Sequence, residues 1–220
     1  MTIFKKLINK IFPHSTKQTI CVFGDSITAG VDDTENGGWV ALLQHYFDIN
    51  EAKITVHNFG VSGNTTDDLL DRFEAECRGA KPDAIIFAIG INDTKYMGYD
   101  SDECFVPLKK FQDNLEKLTG QAKKIAERII FVGLTPVDEV KTQPIFWDGE
   151  DSRIFFGNAK VDLYNSKIKE IAQENNLPFI EMLDLLDPSD LEDGLHPNSA
   201  GHEKMFLRIK DFLIKNKIAQ

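Results

Sequence analysis

The sequence is poor in cysteine and contains no long hydrophobic run. Its three cysteines, Cys21, Cys77 and Cys104, are an odd number and form neither a CxxC pair nor a Cys/His cluster with the spacing of zinc ligands. No segment approaches the roughly 18 consecutive apolar residues that a membrane-spanning helix needs. These absences argue against a disulfide framework, a zinc site and an integral membrane protein. Reduced thiols in the cytoplasm are the simplest interpretation.

Positive charge is also scarce. The 25 Lys and Arg residues face 35 Asp and Glu residues, which gives a net charge of -10. Such a chain repels phosphate backbones, so we expect no nucleic-acid partner. An apolar content of 42% in 220 residues is sufficient for one buried core without disulfides or metal.

Residues 1–18 differ from the rest of the chain. Apolar residues recur there at helical spacing with lysines on the other face: Ile3, Phe4, Leu7, Ile8, Ile11 and Phe12. Lysines interrupt the apolar stretch and no small-residue cleavage site follows, so the segment does not match a signal peptide. Two interpretations remain open: a short helix packed on the surface of its own domain, or weak peripheral membrane contact through residues 1–12.

From residue 19 to residue 215, short β-rich runs alternate with longer helical patterns. The runs cover residues 19–24, 53–60, 83–90, 128–136 and 177–183, and several are almost continuously apolar, as is typical of strands buried on both faces of a parallel sheet. Helical patterns fall near 38–48, 65–78, 104–126, 158–175 and 199–215. This alternation predicts one α/β domain, a three-layer αβα sandwich around a doubly wound parallel sheet.

Ligands of open α/β sheets bind at the carboxyl ends of the strands, so the residues after each strand are the place to search for chemistry. Ser26 follows the first run in GDSIT, where it is either a nucleophile or the N-cap of a helix. Asp193 and His196 lie three apart in DGLHP. This spacing allows the carboxylate to orient the histidine as a base, although the stretch is also compatible with a simple helix-entry loop.

Two further strand ends carry candidate oxyanion donors. Asn92 follows the third run in GINDT, and its amide is either a donor to a developing oxyanion or part of an Asx-turn. Gly63 in GVSGNTT allows close approach of the backbone to a substrate, or serves only as a turn glycine. Each motif is weak evidence when taken alone. The four occur in chain order, however, and together they supply a nucleophile, a base, a carboxylate that orients the base, and oxyanion donors.

With these four blocks, GDSIT, NFGVSGNTT, GINDT and DGLHP, the sequence resembles the SGNH (GDSL-type) hydrolases over about residues 19–215. The resemblance implies Ser26 as nucleophile, His196 as general base and Asp193 as its orienting carboxylate. It implies an oxyanion hole made by the backbone N–H groups of Ser26 and Gly63 and by the side chain of Asn92. It also implies a flavodoxin-like sheet of five parallel strands. Gly60 is a nearby alternative to Gly63, but the block spacing favours Gly63.

The implied reaction is hydrolysis of a small-molecule acyl ester through an acyl-enzyme, with neither metal nor organic cofactor. We expect a short-chain esterase or a carbohydrate O-deacetylase. A lysophospholipase or thioesterase acting on lipid acyl esters is an alternative within the enzymes, and a non-catalytic α/β binding module is an alternative outside them.

Several other residues are assigned from local context. Residues 141–157 form a long segment after the fourth run, and its aromatic residues are expected either to line a substrate pocket or to pack at the domain edge: Phe146, Trp147, Phe155 and Phe156. Asp25, beside Ser26, is a further candidate for substrate binding. Trp39 is expected in the core, and His202 is expected on the solvent-facing side of the last helix.

Overall fold

The structure is a computed structural model that describes residues 17–97, 103–147 and 152–219, with backbone alone for Phe146, Trp147 and Ser152. The amphipathic helix expected within residues 1–12 lies outside the described residues. The elements are, in chain order, β1 (Gln18–Gly24), α1 (Ser26–Ala29), α2 (Trp39–Ile49), β2 (Ile54–Gly60), α3 (Thr66–Ala80), β3 (Ala84–Ala88), β4 (Tyr96–Met97), α4 (Leu108–Ala122), β5 (Arg128–Val132), α5 (Glu139–Thr142), β6 (Ile145–Trp147), β7 (Ser152–Phe155), α6 (Asn158–Glu174), β8 (Phe179–Ile180) and α7 (Ser199–Lys215).

The central sheet has five parallel strands in the order β2-β1-β3-β5-β8. Helices α3, α4 and α6 pack against one another in sequence, and α2 packs against α7. Because crossovers between parallel strands are right-handed, these two groups of helices cover opposite faces of the sheet. The αβα sandwich with a flavodoxin-like parallel sheet, expected from the sequence, is confirmed.

The core is rich in phenylalanine. Phe23 of β1 lies between the rings of Phe59 and Phe73, with centroid distances of 4.9 Å to each, and Phe87 of β3 lies 5.3 Å from Phe73 and 5.5 Å from Phe131. Aromatic pairs at such separations add to the stabilisation that burial alone provides. The central strands are apolar because both of their faces are covered by helices.

The predicted and observed boundaries differ most for one helix and for the last strand. The helix expected over residues 104–126 begins only at Leu108 and ends at Ala122. Pro107 precedes it and disfavours helical backbone at the residue before the ring, and Cys104 instead forms a β-bridge with Tyr96. The last strand pairs only through Phe179 and Ile180, at the sheet edge.

The segment over residues 141–157, expected as a long loop, has regular structure at both ends. It contains the end of α5 and the strands β6 and β7, which form an antiparallel sheet in the order β4-β7-β6. Alternating apolar residues on short strands can form such a hairpin, but the local pattern was too short to distinguish it from a loop. This small sheet lies at the same end of the molecule as the candidate catalytic residues, because Ile145 and Ile154 line the same cleft as Ser26 and His196.

The prediction for Trp39 is confirmed, and the prediction for His202 is wrong. Both side chains are fully buried. The Trp39 backbone N–H donates to Nδ1 of His202 at 3.3 Å, and Nε2 of His202 lies 3.3 Å from the carbonyl oxygen of Val31. His202 is buried because this side of α7 packs against α2, and burial lowers its pKa.

The three cysteines are buried as free thiols. Burial raises the pKa of Cys21 and of Cys77 to about 12, so both are poor nucleophiles at neutral pH. Among the described residues, none of the helices combines the length and the hydropathy that crossing a bilayer requires.

Candidate active site

The turn after β1 brings Ser26 to the carboxyl edge of the sheet. A Cβ atom on Gly24 would lie 2.0 Å from Oγ1 of Thr28 and 2.3 Å from the carbonyl oxygen of Ala88, so only glycine allows α1 to start this close to β3. Thr28 Oγ1 donates to that same carbonyl oxygen at 3.2 Å. Ser26 is the first residue of α1, and its side chain lines a cleft.

Asp25 has a different role from the one expected. Its carboxylate accepts a hydrogen bond from the Ile27 N–H at 3.0 Å and caps α1, and the residue is only 2% exposed. Burial raises the pKa of Asp25 to about 7. Asp25 is not among the residues that line the cleft, so its assignment to substrate binding is corrected to a buried helix cap behind Ser26.

His196 connects Ser26 with Asp193. Nε2 of His196 lies 2.8 Å from Oγ of Ser26, and Nδ1 lies 2.8 Å from Oδ2 of Asp193. Burial of the imidazole lowers its pKa, but the hydrogen bond with Asp193 and the charges of Asp193, Asp32 and Asp25 outweigh this effect, so the pKa is raised. A histidine placed in this way can take a proton from the serine while one carboxylate holds the ring.

The loop that carries Asp193 is fixed from both sides. Oδ1 of Asp193 accepts hydrogen bonds from the N–H groups of Leu195 and His196 at 2.9 and 2.7 Å. Burial would raise the pKa of Asp193, but its hydrogen bonds to His196 and Leu195 lower it to about 2. Lys141 in α5 donates to the carbonyl oxygens of Leu191 and Glu192. Asp193 is therefore ionised near neutral pH and held rigidly.

Asn92 and Gly63 face the same cleft as Ser26. Nδ2 of Asn92 donates to the carbonyl oxygen of Asn64 at 3.1 Å, which fixes the amide and leaves its second hydrogen for another acceptor. Gly63 has φ +80° and a Cβ atom there would meet nothing within 4 Å. The N–H of Gly60 is already donated to Oδ1 of Asn58 at 2.8 Å, which favours Gly63 over Gly60 as a donor to a substrate.

Asp93, next to Asn92, is a residue that the sequence reasoning missed. Its fully buried carboxylate accepts hydrogen bonds from the backbone N–H and the hydroxyl of Thr66. This ties the end of β3 to the start of α3, and burial raises the pKa of Asp93 to about 7. The local sequence indicated this role only through the presence of a second polar residue, Asp93, after Asn92 at the end of the strand.

The cleft has a volume of about 180 Å³. Its apolar wall comes largely from the small antiparallel sheet and the residue after it, through Ile145, Ile154 and Phe156. Phe155 is instead buried and stacks on Tyr96 with a centroid distance of 5.5 Å. Phe146 and Trp147 are described by their backbone alone, so the substrate-binding role expected for their side chains stays a prediction. The remaining lining residues are Ser26, Val31, Ser62, Gly63, Asn92, Lys95, Asp193, Leu195 and His196.

In the described part of the chain, one group of carboxylate and imidazole atoms is close enough together to be considered as a metal site. Asp32, Asp193 and His196 each place one such atom within 4.8 Å of the others. The close contact between Nδ1 of His196 and Asp193 places a proton where a cation would bind, so the group is better suited to orienting the imidazole than to holding a metal.

Comparison with known proteins identifies the family. The model of the GDSL-like lipase/acylhydrolase family matches residues 22–204. An acetylxylan esterase of Geobacillus stearothermophilus is 32% identical over 183 residues, which cover 77% of each chain. A crystal structure of an acetylxylan esterase from the same organism superposes with a TM-score of 0.70 at 27% identity, covering 90% of this chain and 93% of that chain.

Further solved structures agree. A lipase/acylhydrolase from Enterococcus faecalis has the same fold, with a TM-score of 0.72 at 24% identity over 89% of this chain and 95% of the other. Three structures of the Geobacillus esterase are described as catalytic mutants, with a serine, an aspartate or a histidine replaced by alanine. The chain belongs to the GDSL-like lipase/acylhydrolase family and is a carboxylic ester hydrolase.

Proposed function

We propose that this protein hydrolyses small acyl esters with Ser26 as nucleophile, His196 as general base and Asp193 as the residue that orients His196. The observation that carries the proposal is the continuous contact from Ser26 Oγ through the imidazole to Asp193, with 2.8 Å at each step. These distances are those of a nucleophile and its base within hydrogen-bonding reach.

Hydrolysis proceeds in two halves. His196 takes the proton of the Ser26 hydroxyl as Oγ attacks the ester carbonyl carbon, and it then gives that proton to the departing alcohol as the carbon–oxygen bond breaks. In the second half, His196 takes a proton from a water molecule as its oxygen attacks the acyl carbon, and it returns that proton to Oγ of Ser26 as the bond between Oγ and the acyl carbon breaks and the acid leaves. Asp193 stays ionised throughout and stabilises the imidazolium that forms in each half.

The negative oxygen of each tetrahedral intermediate requires donors that are already in place. We assign this role to the backbone N–H groups of Ser26 and Gly63 and to the amide of Asn92, which face the same cleft. Because Asn92 is held by the carbonyl oxygen of Asn64, it need not reorganise as charge develops.

The Geobacillus esterase supports this assignment. Its catalytic mutants replace a serine, an aspartate and a histidine, and the aspartate and the histidine lie three positions apart, as Asp193 and His196 do here. We therefore carry the catalytic roles over to the three residues of this chain that are in contact.

The preferred acyl group is expected to be short. A cleft of about 180 Å³ is smaller than the roughly 300 Å³ at which sites for drug-sized ligands begin. The similarity to an acetylxylan esterase favours an acetyl group on a carbohydrate. Among the described residues that line the cleft, the apolar wall of Ile145, Ile154 and Phe156 would suit a longer acyl chain, as in the lipid-ester alternative.

The catalytic assignment is tested by labelling and turnover. Ser26→Ala should lose covalent labelling by a fluorophosphonate and lower kcat for p-nitrophenyl acetate by at least about 10⁴-fold. The control Ser166→Ala removes a serine hydroxyl from an exposed position of α6 and should change neither the labelling nor kcat. Unchanged labelling of Ser26→Ala would overturn the assignment.

The acyl preference is tested with p-nitrophenyl esters from acetyl to dodecanoyl, together with acetylated xylo-oligosaccharides and lysophospholipids. We expect kcat/KM to be highest for acetyl groups. An increase in kcat/KM towards the dodecanoyl ester, accompanied by turnover of lysophospholipid, would replace the short-acyl proposal with the lipid-ester alternative.

A further inference from the structure

A second carboxylate lies beside the catalytic histidine. Oδ2 of Asp32 is 3.6 Å from Nδ1 of His196, on the side of the ring where Asp193 makes its 2.8 Å contact. The side chain of Asp32 is 35% exposed and that of His196 is 17% exposed. A separation of 3.6 Å is too long for a good hydrogen bond but is within the range of an ion pair.

The backbone at Asp32 is in a conformation that favours glycine. Its φ is +66°, in the left-handed region that L-residues with side chains rarely adopt. Glycine would occupy this position without steric cost. The position nevertheless carries a carboxylate that faces the catalytic imidazole, which links the unusual backbone to the site.

The turn that presents Asp32 is anchored on both sides. On one side, the carbonyl oxygen of Val31 contacts Nε2 of the buried His202. On the other, the carboxylate of Asp33 accepts hydrogen bonds from the backbone of Glu35, Asn36 and Gly38 and from the hydroxyl of Ser199. The Asp32 side chain is therefore held close to His196 by the fold rather than by a bond of its own.

We propose that Asp32 is a second positioning residue for His196: together with Asp193 it stabilises the imidazolium, and it partly replaces Asp193 when that side chain is removed. This inference rests on the proposed function. In the intact enzyme Asp32 acts through charge alone, because Asp193 holds the Nδ1 proton. Without Asp193, a small rotation of the Asp32 side chain would bring its oxygen into hydrogen-bonding range of Nδ1.

Asp25 also raises the pKa of His196 through its charge, but it does not lie beside Nδ1 of His196 as Asp32 does. Asp25 lies behind Ser26 with its carboxylate committed to capping α1, and the buried His202 of α7 lies beyond the turn. Lys95 lines the cleft but carries the opposite charge. Of the described residues with a carboxylate or imidazole atom close to this ring nitrogen, Asp32 is the one besides Asp193.

The test compares Asp193→Ala, Asp32→Asn and the double variant, using kcat/KM for p-nitrophenyl acetate over pH 5 to 9. Asparagine tolerates the left-handed backbone and removes only the charge. We expect Asp32→Asn to move the acidic midpoint of kcat/KM down by about half a pH unit. We expect the double variant to be at least about tenfold less active than Asp193→Ala. Glu35→Gln removes one charge from an exposed position of the same turn and should leave the midpoint unchanged.

The outcomes separate the two proposals. An unchanged midpoint in Asp32→Asn, or equal kcat/KM for Asp193→Ala and the double variant, overturns the role of Asp32 while leaving Ser26 as nucleophile. Retained activity in Ser26→Ala overturns the proposed function itself. If the double variant folds poorly, Asp32→Gly with Asp193→Ala gives the same comparison, because glycine suits the backbone at this position.

Discussion

Oγ of Ser26 lies 2.8 Å from Nε2 of His196, although 170 positions separate the two residues. Ser26 starts the helix after β1, an interior strand of the sheet, and His196 lies in the loop that leads into α7. The contact forms because α7 packs against α2 and the loop before it reaches across the carboxyl edge of the sheet.

Activity should require a neutral His196 and should therefore fall as the pH is lowered. The pKa of His196 is raised above its usual 6.5, so the acidic midpoint of kcat/KM should lie above pH 6.5. A pH profile measured with p-nitrophenyl acetate checks this. A midpoint at or below 6.5 would contradict the contribution of the neighbouring carboxylates. Because the pKa of His196 is higher in the folded protein than in the unfolded chain, protonation of His196 stabilises the fold below pH 6.5. This stabilisation is lost as the pH rises through the pKa that His196 has in the folded protein.

Replacing Asn92 should affect the transition state more than substrate binding. We expect Asn92→Ala to lower kcat by about 10²- to 10³-fold with little change in KM, because the amide donates to an oxygen that becomes charged only during the reaction. Steady-state kinetics with p-nitrophenyl acetate measure both constants. The exposed Asn50, at the end of α2, provides the matched control Asn50→Ala, which should leave kcat unchanged. A loss confined to KM would contradict the oxyanion role.

The apolar wall of the cleft should set the acyl-length preference. Ile154→Ala removes part of this wall and should raise the ratio of kcat/KM for butyryl over acetyl esters by about tenfold, because each added methylene then has room to be buried. The control is Val140→Ala on α5, where the side chain is 93% exposed. An unchanged ratio in Ile154→Ala would show that the acyl group binds elsewhere in the cleft.

His202 should make the fold sensitive to acid. Burial lowers its pKa, so the unfolded chain takes up a proton near pH 6.5 that the folded chain resists, and stability falls as the pH drops below that value. We expect His202→Gln to be less stable by about 1 to 3 kcal/mol at pH 8, since it disturbs the buried contacts to Trp39 and Val31. The difference in the free energy of unfolding between the wild type and His202→Gln should be smaller at pH 5, because His202 takes up a proton on unfolding, which destabilises only the wild type.

Urea denaturation of the wild type and His202→Gln at both pH values measures this difference. His196 is present in both proteins and its titration cancels in the comparison. A gap in the free energy of unfolding that does not change with pH would show that His202 is not protonated on unfolding in this range.

The elements that could be predicted from sequence are those with strong local patterns. The apolar runs that became β1, β3 and β5 are nearly continuous because helices cover both faces of the sheet. Patterns of intermediate length were less informative. The segment over residues 141–157 formed two short strands, of which β7 also pairs with β4, about 58 positions earlier, and a local pattern does not encode such a distant partner.

Two nearby histidines, one in the loop before α7 and one in α7 itself, show the same limit of local sequence patterns. His196 and His202 lie six positions apart, yet one faces Ser26 in the cleft and the other is fully buried against Trp39. The expectation that His202 faces solvent was wrong because burial depends on which side of α7 meets α2, and both sides contain polar residues.

By itself, the sequence determined the fold class, because hydrophobic periodicity is local, and it indicated the candidate catalytic residues through the resemblance of its four motif blocks to those of the SGNH hydrolases. Only the tertiary structure decided that Asp25 caps a helix, that Ile145 and Ile154 form a wall of the cleft, and that Asp32 lies beside His196. These facts depend on distances between residues far apart in sequence, and packing of the helices and the small sheet sets those distances.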